Sequence, residues 1–227
     1  MTADGERAAF NQSIARAARL LDLFSPEQYE LSLSEMAAQL GVSRATAHRY
    51  ASALRAAGLL RMTSAGYSLG PRIIELASTA VAGLRVVTLA GPFLARLVTE
   101  VNETAVLSVW DGEAPIVVRV DDNTNRLVRI TVRPGSRLGH DTAQSKIFRA
   151  FPPIAEPELA AVRDDGIAFS ASSVEGVGAL ACPVTQVDEI VATIALVGTL
   201  TNMESAVTST VDKALRRTAD DLSKQLG

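Results

Sequence analysis

Five arginines stand in a stretch of the chain that contains no aspartate or glutamate. The stretch runs from Ser43 to Arg72, and its arginines are Arg44, Arg49, Arg55, Arg61 and Arg72. The whole chain has a formal net charge of −3, so the positive charge is local. A local field is what a phosphate backbone meets, because salt screens charges beyond a Debye length of about 8 Å. The stretch is a candidate nucleic-acid surface, with a solvated helix face as the alternative.

Hydrogen-bonding side chains are concentrated at the start of this stretch. An arginine binds guanine or phosphate, and serine and threonine hydroxyls commonly bind phosphate. The first residues of a helix that enters the major groove reach the base edges. The candidate DNA-binding residues are therefore Ser43, Arg44, Thr46, Ala47, His48 and Arg49, together with Arg61 a short distance further along the chain.

The elements that must position these residues follow from the spacing of apolar side chains. A first amphipathic helix is predicted over residues 13–24. Ser32 and Glu35 have the spacing of a capping box that begins a second helix, and Gly41 ends it. Ser43 is placed to cap a third helix. Two short helices joined by a tight turn, the second with arginines on its exposed side, predict a helix-turn-helix.

The rest of the chain separates into further segments. Two short strands around a polar turn, 59–62 and 67–69, predict a wing, so residues 1–70 form a winged helix-turn-helix domain. Residues 71–86 predict an apolar linker helix that begins with a proline. Residues 87–227 predict an α+β domain with a mainly antiparallel sheet, because hairpin-connected strands stand apart from helices. The predicted strands are 104–110, 116–120, 127–132, 167–170, 179–184 and 191–196, and the predicted helices are 89–101, 141–151 and one from Val207 onward.

The motifs in these segments resemble those of the IclR family of bacterial transcription regulators. In the first part the matching motifs are Leu33-Ser34-Glu35, Gly41-Val42-Ser43, Thr46-Ala47-His48-Arg49 and Tyr67-Ser68-Leu69-Gly70. In the second part they are Glu103-Thr104, Thr142-Ala143 with Ser145-Lys146, and the run from Gly176 to Val184. The resemblance covers most of the chain in the same order. It implies a GAF-like effector-binding and oligomerisation domain, a homodimer or tetramer, a double-stranded DNA operator, and control of a catabolic or biosynthetic operon.

The resemblance also implies where an effector would bind. The matching positions are Leu138, Gly139, Thr142, Ser170, Ala179, Leu180, Ala195 and Val197. Several depart from the family pattern: Ser170 stands where an acidic residue is frequent, Ala179 where a cysteine is frequent, and Ala195-Leu196-Val197-Gly198 where Ser-x-Ser-Gly is frequent. The chain is also shorter than typical members between Phe151 and Gly166.

Among the matching positions only Thr142 and Ser170 offer side-chain hydrogen bonds, and none is charged. An unpaired buried carboxylate costs several kcal/mol, so an apolar or weakly polar effector, such as an aromatic or a neutral acyl compound, is expected. The alternative is a degenerate domain that serves oligomerisation without sensing a ligand.

Catalysis is the main alternative from another functional class, and the sequence favours it little. His48 and His140 are the only histidines, and Cys182 is the only cysteine and lies in an apolar run typical of a buried structural thiol. There is no Gly-x-Gly-x-x-Gly or Walker sequence. Two histidines and one cysteine in separate contexts do not make a zinc site. We therefore expect no enzymatic activity, no catalytic residue, no metal and no cofactor.

Hydropathy points to the cytoplasm. The longest strongly apolar run, 190–200, is 11 residues, too short to span a bilayer. The first residues lack the basic start and apolar core of a signal peptide, and a lone cysteine fits a reducing compartment. A cytoplasmic location without a membrane partner is expected.

Overall fold

The structure is a computed structural model that describes residues 3–25, 27–122, 130–171, 176–187, 189–206 and 209–227, with the backbone alone for residues 3–11. The chain divides into two compact units, the first ending at Ala80 and the second beginning at Val81. Each unit has its own core of buried apolar side chains.

The first unit is a bundle of helices with a two-stranded hairpin. Its elements are α1 (Ala3–Leu21), α2 (Leu33–Leu40), α3 (Arg44–Ala56), β1 (Leu60–Met62), β2 (Tyr67–Leu69) and α4 (Pro71–Gly83), the last of which continues past the unit boundary. β1 and β2 pair antiparallel, with Leu60 opposite Leu69. The core contains Leu20 of α1, Met36 of α2 and Leu54 of α3. The apolar face of each of these helices is thus buried against the others, as the periodicity predicts.

A close approach of two backbone segments joins the hairpin to the end of α3. The Gly70 N–H donates to Leu59 O at 2.8 Å. A Cβ atom at Gly70 would lie 2.1 Å from Gly58 O, far inside van der Waals contact. Gly58 itself has φ +76, in the left-handed region that glycine adopts most readily. The glycine that follows Tyr67-Ser68-Leu69 is therefore required by space at the base of the wing.

The second unit is a five-stranded antiparallel sheet covered by helices. Its elements are α5 (Arg85–Val101), β3 (Thr104–Trp110), β4 (Pro115–Asp121), α6 (Ala143–Ala150), a 3-10 turn (Pro157–Leu159), α7 (Ala160–Asp165), β5 (Ala168–Ala171), β6 (Val177–Gln186), β7 (Glu189–Thr199), α8 (Leu200–Ala206) and α9 (Thr210–Leu226). The strand order is β4-β3-β7-β6-β5, and every neighbouring pair is antiparallel. The chain therefore has the predicted α+β class, and the sheet is consistent with a GAF-like domain.

The two faces of this sheet are covered differently. One face packs on α5 and α9 and forms the main core, which includes Leu94, Leu107 and Leu222. The other face carries α6, whose Ile147 packs on small side chains of β6 and β7. Beside α6 the same face is open and lines a cavity. The sheet thus separates a filled core from a space that a ligand can enter.

Several element boundaries differ from those predicted. α5 begins at Arg85 and keeps Pro92 inside it, whereas the sequence placed the helix start at Leu89. Ile130–Val132, the described part of the strand predicted at 127–132, is not in a strand, and residues 127–129 lie outside the described residues. α7 and α8 were not predicted, because helices this short carry too few apolar repeats to be detected. Val207, predicted to begin the last helix, also lies outside the described residues.

Substitution of Gly70 tests the close approach at the wing. Gly70→Ala forces a methyl group against the Gly58 carbonyl, and overpacking of this kind costs about 1–3 kcal/mol. We expect faster hydrogen–deuterium exchange in peptides that contain β1 and β2. Gly83→Ala is the matched control, because a Cβ at Gly83 meets no atom within 4 Å. Equal exchange in the two variants would contradict this account of the wing.

Candidate nucleic-acid interface and ligand cavity

A capped turn fixes the start of α3. The Glu35 N–H donates to Ser32 Oγ at 3.3 Å and the Ser32 N–H donates to Glu35 Oε2 at 2.7 Å, which completes the predicted capping box on α2. Gly41 ends α2 with φ 65 in the left-handed region. Ser43 then caps α3 by accepting the Thr46 N–H at 3.2 Å. The direction in which α3 leaves the turn is therefore determined by local hydrogen bonds.

The predicted DNA-binding residues on α3 are not equivalent. Arg44, His48 and Arg49 are exposed, whereas Ala47 is fully buried in the first unit. Ala47 is therefore corrected: helical periodicity places it on the same side as the core residues Tyr50 and Leu54. It supports the helix and cannot touch a base.

Hydroxyl groups at the start of α3 bond to each other as well as to the backbone. Ser43 Oγ and Thr46 Oγ1 are 2.9 Å apart, and either can be the donor. Both side chains remain at least partly exposed. In the structure these hydroxyls stabilise the start of the helix. Hydroxyls that remain exposed can also hydrogen-bond a phosphate.

The outermost line of α3 consists of small residues that sequence reasoning omitted. Successive helix residues are about 100° apart, so Ala45 and Ser52 lie opposite the buried face, with His48 and Arg49 on either side of this line. Arg44 and Arg55 lie along one edge of the exposed face. The predicted residues of α3 ended at Arg49, so Ser52 was left out, and Ala45 was passed over, although periodicity alone places both on the exposed side.

Arg61 lies on the wing and is partly committed to it. Its Nε donates to Ser68 Oγ at 2.9 Å across the hairpin. The arginine and the serine also line a shallow hollow with Phe24 and Tyr29. This bond uses only Nε, and Arg61 as a whole is exposed. The wing therefore still presents a positive charge to solvent.

A cavity of about 640 Å³ lies on the open face of the sheet in the second unit. Six of the predicted effector positions line it: Leu138, Gly139, Thr142, Ser170, Ala179 and Val197. Volumes of about 300–1,000 Å³ are typical of small-molecule sites. The structure therefore brings most of these positions together around one space.

Two predicted effector residues lie elsewhere. Leu180 follows Ala179 in β6 and points to the opposite face, where it belongs to the main core. Ala195 shares the cavity face but is fully buried beneath α6, with Ala143 and Ile147. Both positions are corrected: alternation along the strand excludes Leu180, and the cover of α6 excludes Ala195.

The cavity lining contains more polar side chains than the predicted effector positions include. His140, Asp141 and Gln144 also line it, so the expectation of an uncharged lining is wrong. His140 is held from outside, since its Nδ1 lies 3.0 Å from Arg149 Nη1. Sequence reasoning missed these residues because the family positions were transferred singly, without the segments between them.

Hydrogen bonds within the fold occupy the first turn of α6. Thr142 Oγ1 donates to Gly139 O at 2.8 Å and accepts the Ser145 N–H at 3.3 Å. Ser170 Oγ accepts the Ala143 N–H at 2.9 Å. Two donors that a carboxylate would otherwise find at a helix start are thus already bonded. No lysine or arginine is among the described residues that line the cavity.

Comparison with known proteins places the chain. Residues 13–63 match the family model described as the IclR helix-turn-helix domain. A solved IclR transcriptional regulator from Alicyclobacillus acidocaldarius is 25% identical, with a TM-score of 0.75, and the match covers 95% of this chain and 99% of that one. The helix-turn-helix domain belongs to the IclR family. The DNA-binding transcriptional repressor YiaJ of Escherichia coli is 23% identical over 100% of this chain and 92% of its own length.

Two further similarities are narrower: one covers less than half of the relative, and the other shows a common fold only. The HTH-type transcriptional regulator Rv1719 of Mycobacterium tuberculosis is 40% identical, over 47% of this chain and 41% of its own length. The chain thus matches less than half the length of that relative. A solved IclR homologue from Microbacterium hydrocarbonoxydans, complexed with 4-hydroxybenzoate, is 21% identical with a TM-score of 0.78, covering 94% of this chain and 98% of that one.

These relatives are named as transcriptional regulators and not as enzymes, in agreement with the prediction of a non-catalytic protein. Cys182 is buried, and burial raises the pKa of its thiol to about 12, so the thiol stays protonated at neutral pH. Within the described residues, no group of three or more His, Cys, Asp or Glu side chains could hold a metal ion.

Within the described ranges, no single helix is long and apolar enough to cross a membrane. Only the bent pair of α4 and α5 passes such a test when the two are taken together, on length and composition.

Proposed function

We propose that this chain is a transcription regulator that binds an operator through α3 and the wing, and whose affinity for DNA changes when a small molecule occupies the cavity. The exposed face of α3 carries the DNA-binding part of this proposal. It has arginines and a histidine on a helix whose other face is buried, and its sequence contains no acidic residue. A helix of this kind fits the major groove.

Different contacts are proposed for the two arginines at the start of α3. Arg49 lies next to the outermost line of the helix, where a guanidinium reaches base edges. Arg44 lies at the edge of the exposed face, where a phosphate is nearer than a base. His48 and Ser52 share the groove face with Arg49. Arg61 of the wing supplies a further phosphate contact.

The cavity supports a sensing role over the alternative of a domain used only for oligomerisation. A space of about 640 Å³ is open beside α6, whereas a purely structural domain has no reason to leave it unfilled. The ligand proposed is apolar or weakly polar. Val106, Val177 and Val197 give the cavity an apolar wall, and Ser170 Oγ supplies a hydroxyl for one directed hydrogen bond.

The ligand proposed has about the size of a single substituted aromatic ring. The homologue with 4-hydroxybenzoate supports this size. For this chain the carboxylate of such a compound would meet Asp141 at the cavity edge and no described lysine or arginine in the lining. A neutral aromatic therefore fits the lining better than an anionic one. Control of a catabolic or biosynthetic operon accompanies this proposal, as the family resemblance implies.

An even-numbered oligomer completes the proposal. One helix-turn-helix reads a half-site, and two-fold pairing is the commonest way to present two. α4 has no buried residue, and its Ile74, Leu76 and Val81 side chains are 70%, 50% and 40% exposed. Ile74 and Val81 are seven residues apart and lie on one face of the helix, and an exposed apolar face of this kind is expected to be covered by a second copy.

The first prediction separates base reading from phosphate binding on α3. Arg49→Ala should weaken binding to a duplex selected by the wild-type protein from a random pool by about 1–3 kcal/mol and relax specificity at one base. Arg44→Ala should weaken selected and scrambled duplexes by similar factors. Fluorescence anisotropy measures both. Arg96→Ala with Arg163→Ala removes two charges from the second unit and is the control for the Arg44→Ala, Arg49→Ala double variant. Unchanged affinity in the Arg44→Ala, Arg49→Ala double variant would refute the assignment.

The second prediction compares two probes of the same shape. In calorimetric titrations 4-hydroxybenzamide should bind at least about tenfold more tightly than 4-hydroxybenzoate, because an unpaired charge is costly at this site. Ala179→Phe should abolish binding by filling the cavity, whereas Ala161→Phe on the exposed side of α7 should not. Micromolar binding of a small dicarboxylate or a pyruvate-like acid, abolished in Thr142→Ala, would contradict the neutral-ligand proposal.

The third prediction concerns the oligomer. Ile74→Glu with Val81→Glu places two charges on this apolar face of α4 and should lower the molar mass seen by light scattering at the same concentration. Arg72→Glu also adds negative charge to α4 but not to its apolar side chains, and it should leave the mass unchanged. A monomer in the wild-type protein would contradict the proposal directly.

A further inference from the structure

A small hollow lies between α1 and the turn that precedes α3. It has a volume of about 130 Å³ and is lined by Arg16, Arg19, Leu40, Gly41, Val42 and Tyr50. Gly41 has no side chain to fill it, and a Cβ there would meet no atom within 4 Å. The hollow is therefore open at the turn itself. Sequence reasoning assigned no role to α1 beyond packing.

The side chains that surround the hollow are suited to an anion. Arg16 is half-buried and Arg19 is exposed, and among the side chains that the structure describes neither guanidinium is paired with a carboxylate. The Tyr50 hydroxyl lies within hydrogen-bond reach of Ser13 and Arg16, and these bonds lower the pKa of the phenol from its ordinary value. The hollow thus gathers two positive charges and a polarised hydroxyl.

The backbone at the turn contributes little to such a site. The Gly41 N–H donates to Ala38 O at 3.2 Å, and the Val42 N–H donates to Ala37 O at 3.0 Å. Both groups are already satisfied within the end of α2. An anion in the hollow would therefore be held by side chains, which makes their substitution informative.

The position of the hollow relative to α3 identifies the anion. Tyr50 borders the exposed face of α3 on the side opposite to Arg44 and Arg55, by the same spacing of about 100° per residue. The Arg49 guanidinium lies 5.6 Å from the Tyr50 ring centroid, so it links the groove face to the hollow. A helix in the major groove has one phosphate backbone on each side. The two edges of α3 therefore approach different DNA strands.

We propose that Arg16, Arg19 and the Tyr50 hydroxyl bind a DNA backbone phosphate on the strand opposite to the one that Arg44 and Arg55 approach. This rests on the proposed DNA-binding function and extends the interface to α1. The contact carries no base information, and it fixes how deeply and at which register α3 enters the groove. In this proposal the position of α3 in the groove depends on contacts from both of its edges, one to each DNA strand.

The test is the salt dependence of DNA binding by the full chain. Binding of the selected duplex and of a scrambled duplex is measured by anisotropy across a salt series. The slope of log K against log salt should fall by about 1 for each phosphate that the variant no longer binds. Arg16→Gln with Arg19→Gln should show this fall and weaken both duplexes by a similar factor of about ten or more. Arg96→Gln with Arg163→Gln, which changes the net charge equally, should leave the slope unchanged.

Two further variants separate a phosphate contact from a folding defect. Arg16→Lys keeps the charge and should retain the slope, and Tyr50→Phe should keep the thermal midpoint while weakening both duplexes a few-fold. A single neutral methylphosphonate, moved along the selected duplex, should weaken the wild-type protein at one position per half-site and leave the Arg16→Gln, Arg19→Gln variant insensitive there.

The outcomes distinguish the two proposals. A wild-type protein that binds no duplex at any salt overturns the proposed function and this inference with it. Wild-type binding with an unchanged slope in the Arg16→Gln, Arg19→Gln variant overturns this inference alone. Weakening confined to the selected duplex would assign these arginines to base reading and would also overturn it.

Discussion

Burial of one side of α3 is the constraint on which the rest of the first unit depends. Ala47, Tyr50, Ala51 and Leu54 lie in the core with Leu20 of α1 and Met36 of α2. Each large apolar side chain contributes about 1.5–3 kcal/mol on burial, whereas an exposed ion pair contributes about 0–1 kcal/mol. The apolar contacts therefore set the rotation of α3. The arginines of α3 consequently lie on the side of the helix that faces solvent.

The second unit depends on a different periodicity. Successive residues of a strand face opposite sides of a sheet, so Leu180 and Leu196 enter the core while Ala179 and Val197 border the cavity. α6 then covers one part of the cavity face and leaves the other open. A single sheet consequently supplies both the rigid base of the unit and a wall of the cavity, and a shift of one residue in β6 would exchange the two roles.

The sequence allowed the helix-turn-helix, the wing and the antiparallel sheet to be predicted, because each depends on local spacing and turn chemistry. Ser32, Glu35 and Gly41 specify their turn within a few residues. The residues that line the cavity were harder to predict. Its predicted positions came one by one from a family pattern, so Ala195 was included although α6 covers it, and Asp141 was omitted although it stands beside Thr142. Which of two neighbouring residues faces a space depends on tertiary packing, which spacing along the chain does not contain.

The small residues along the outer line of α3 have a consequence for how this protein can diversify. Ala45 and Ser52 occupy the centre of the exposed face, on the side of the helix away from the core. In the proposed complex with DNA, larger or differently bonded side chains at these two places would alter which bases are read while leaving the buried contacts of α3 intact. Recognition and stability are thus encoded by separate residues of the same helix. Duplicated copies of such a gene can acquire new target sequences by a few substitutions, without first passing through an unstable intermediate.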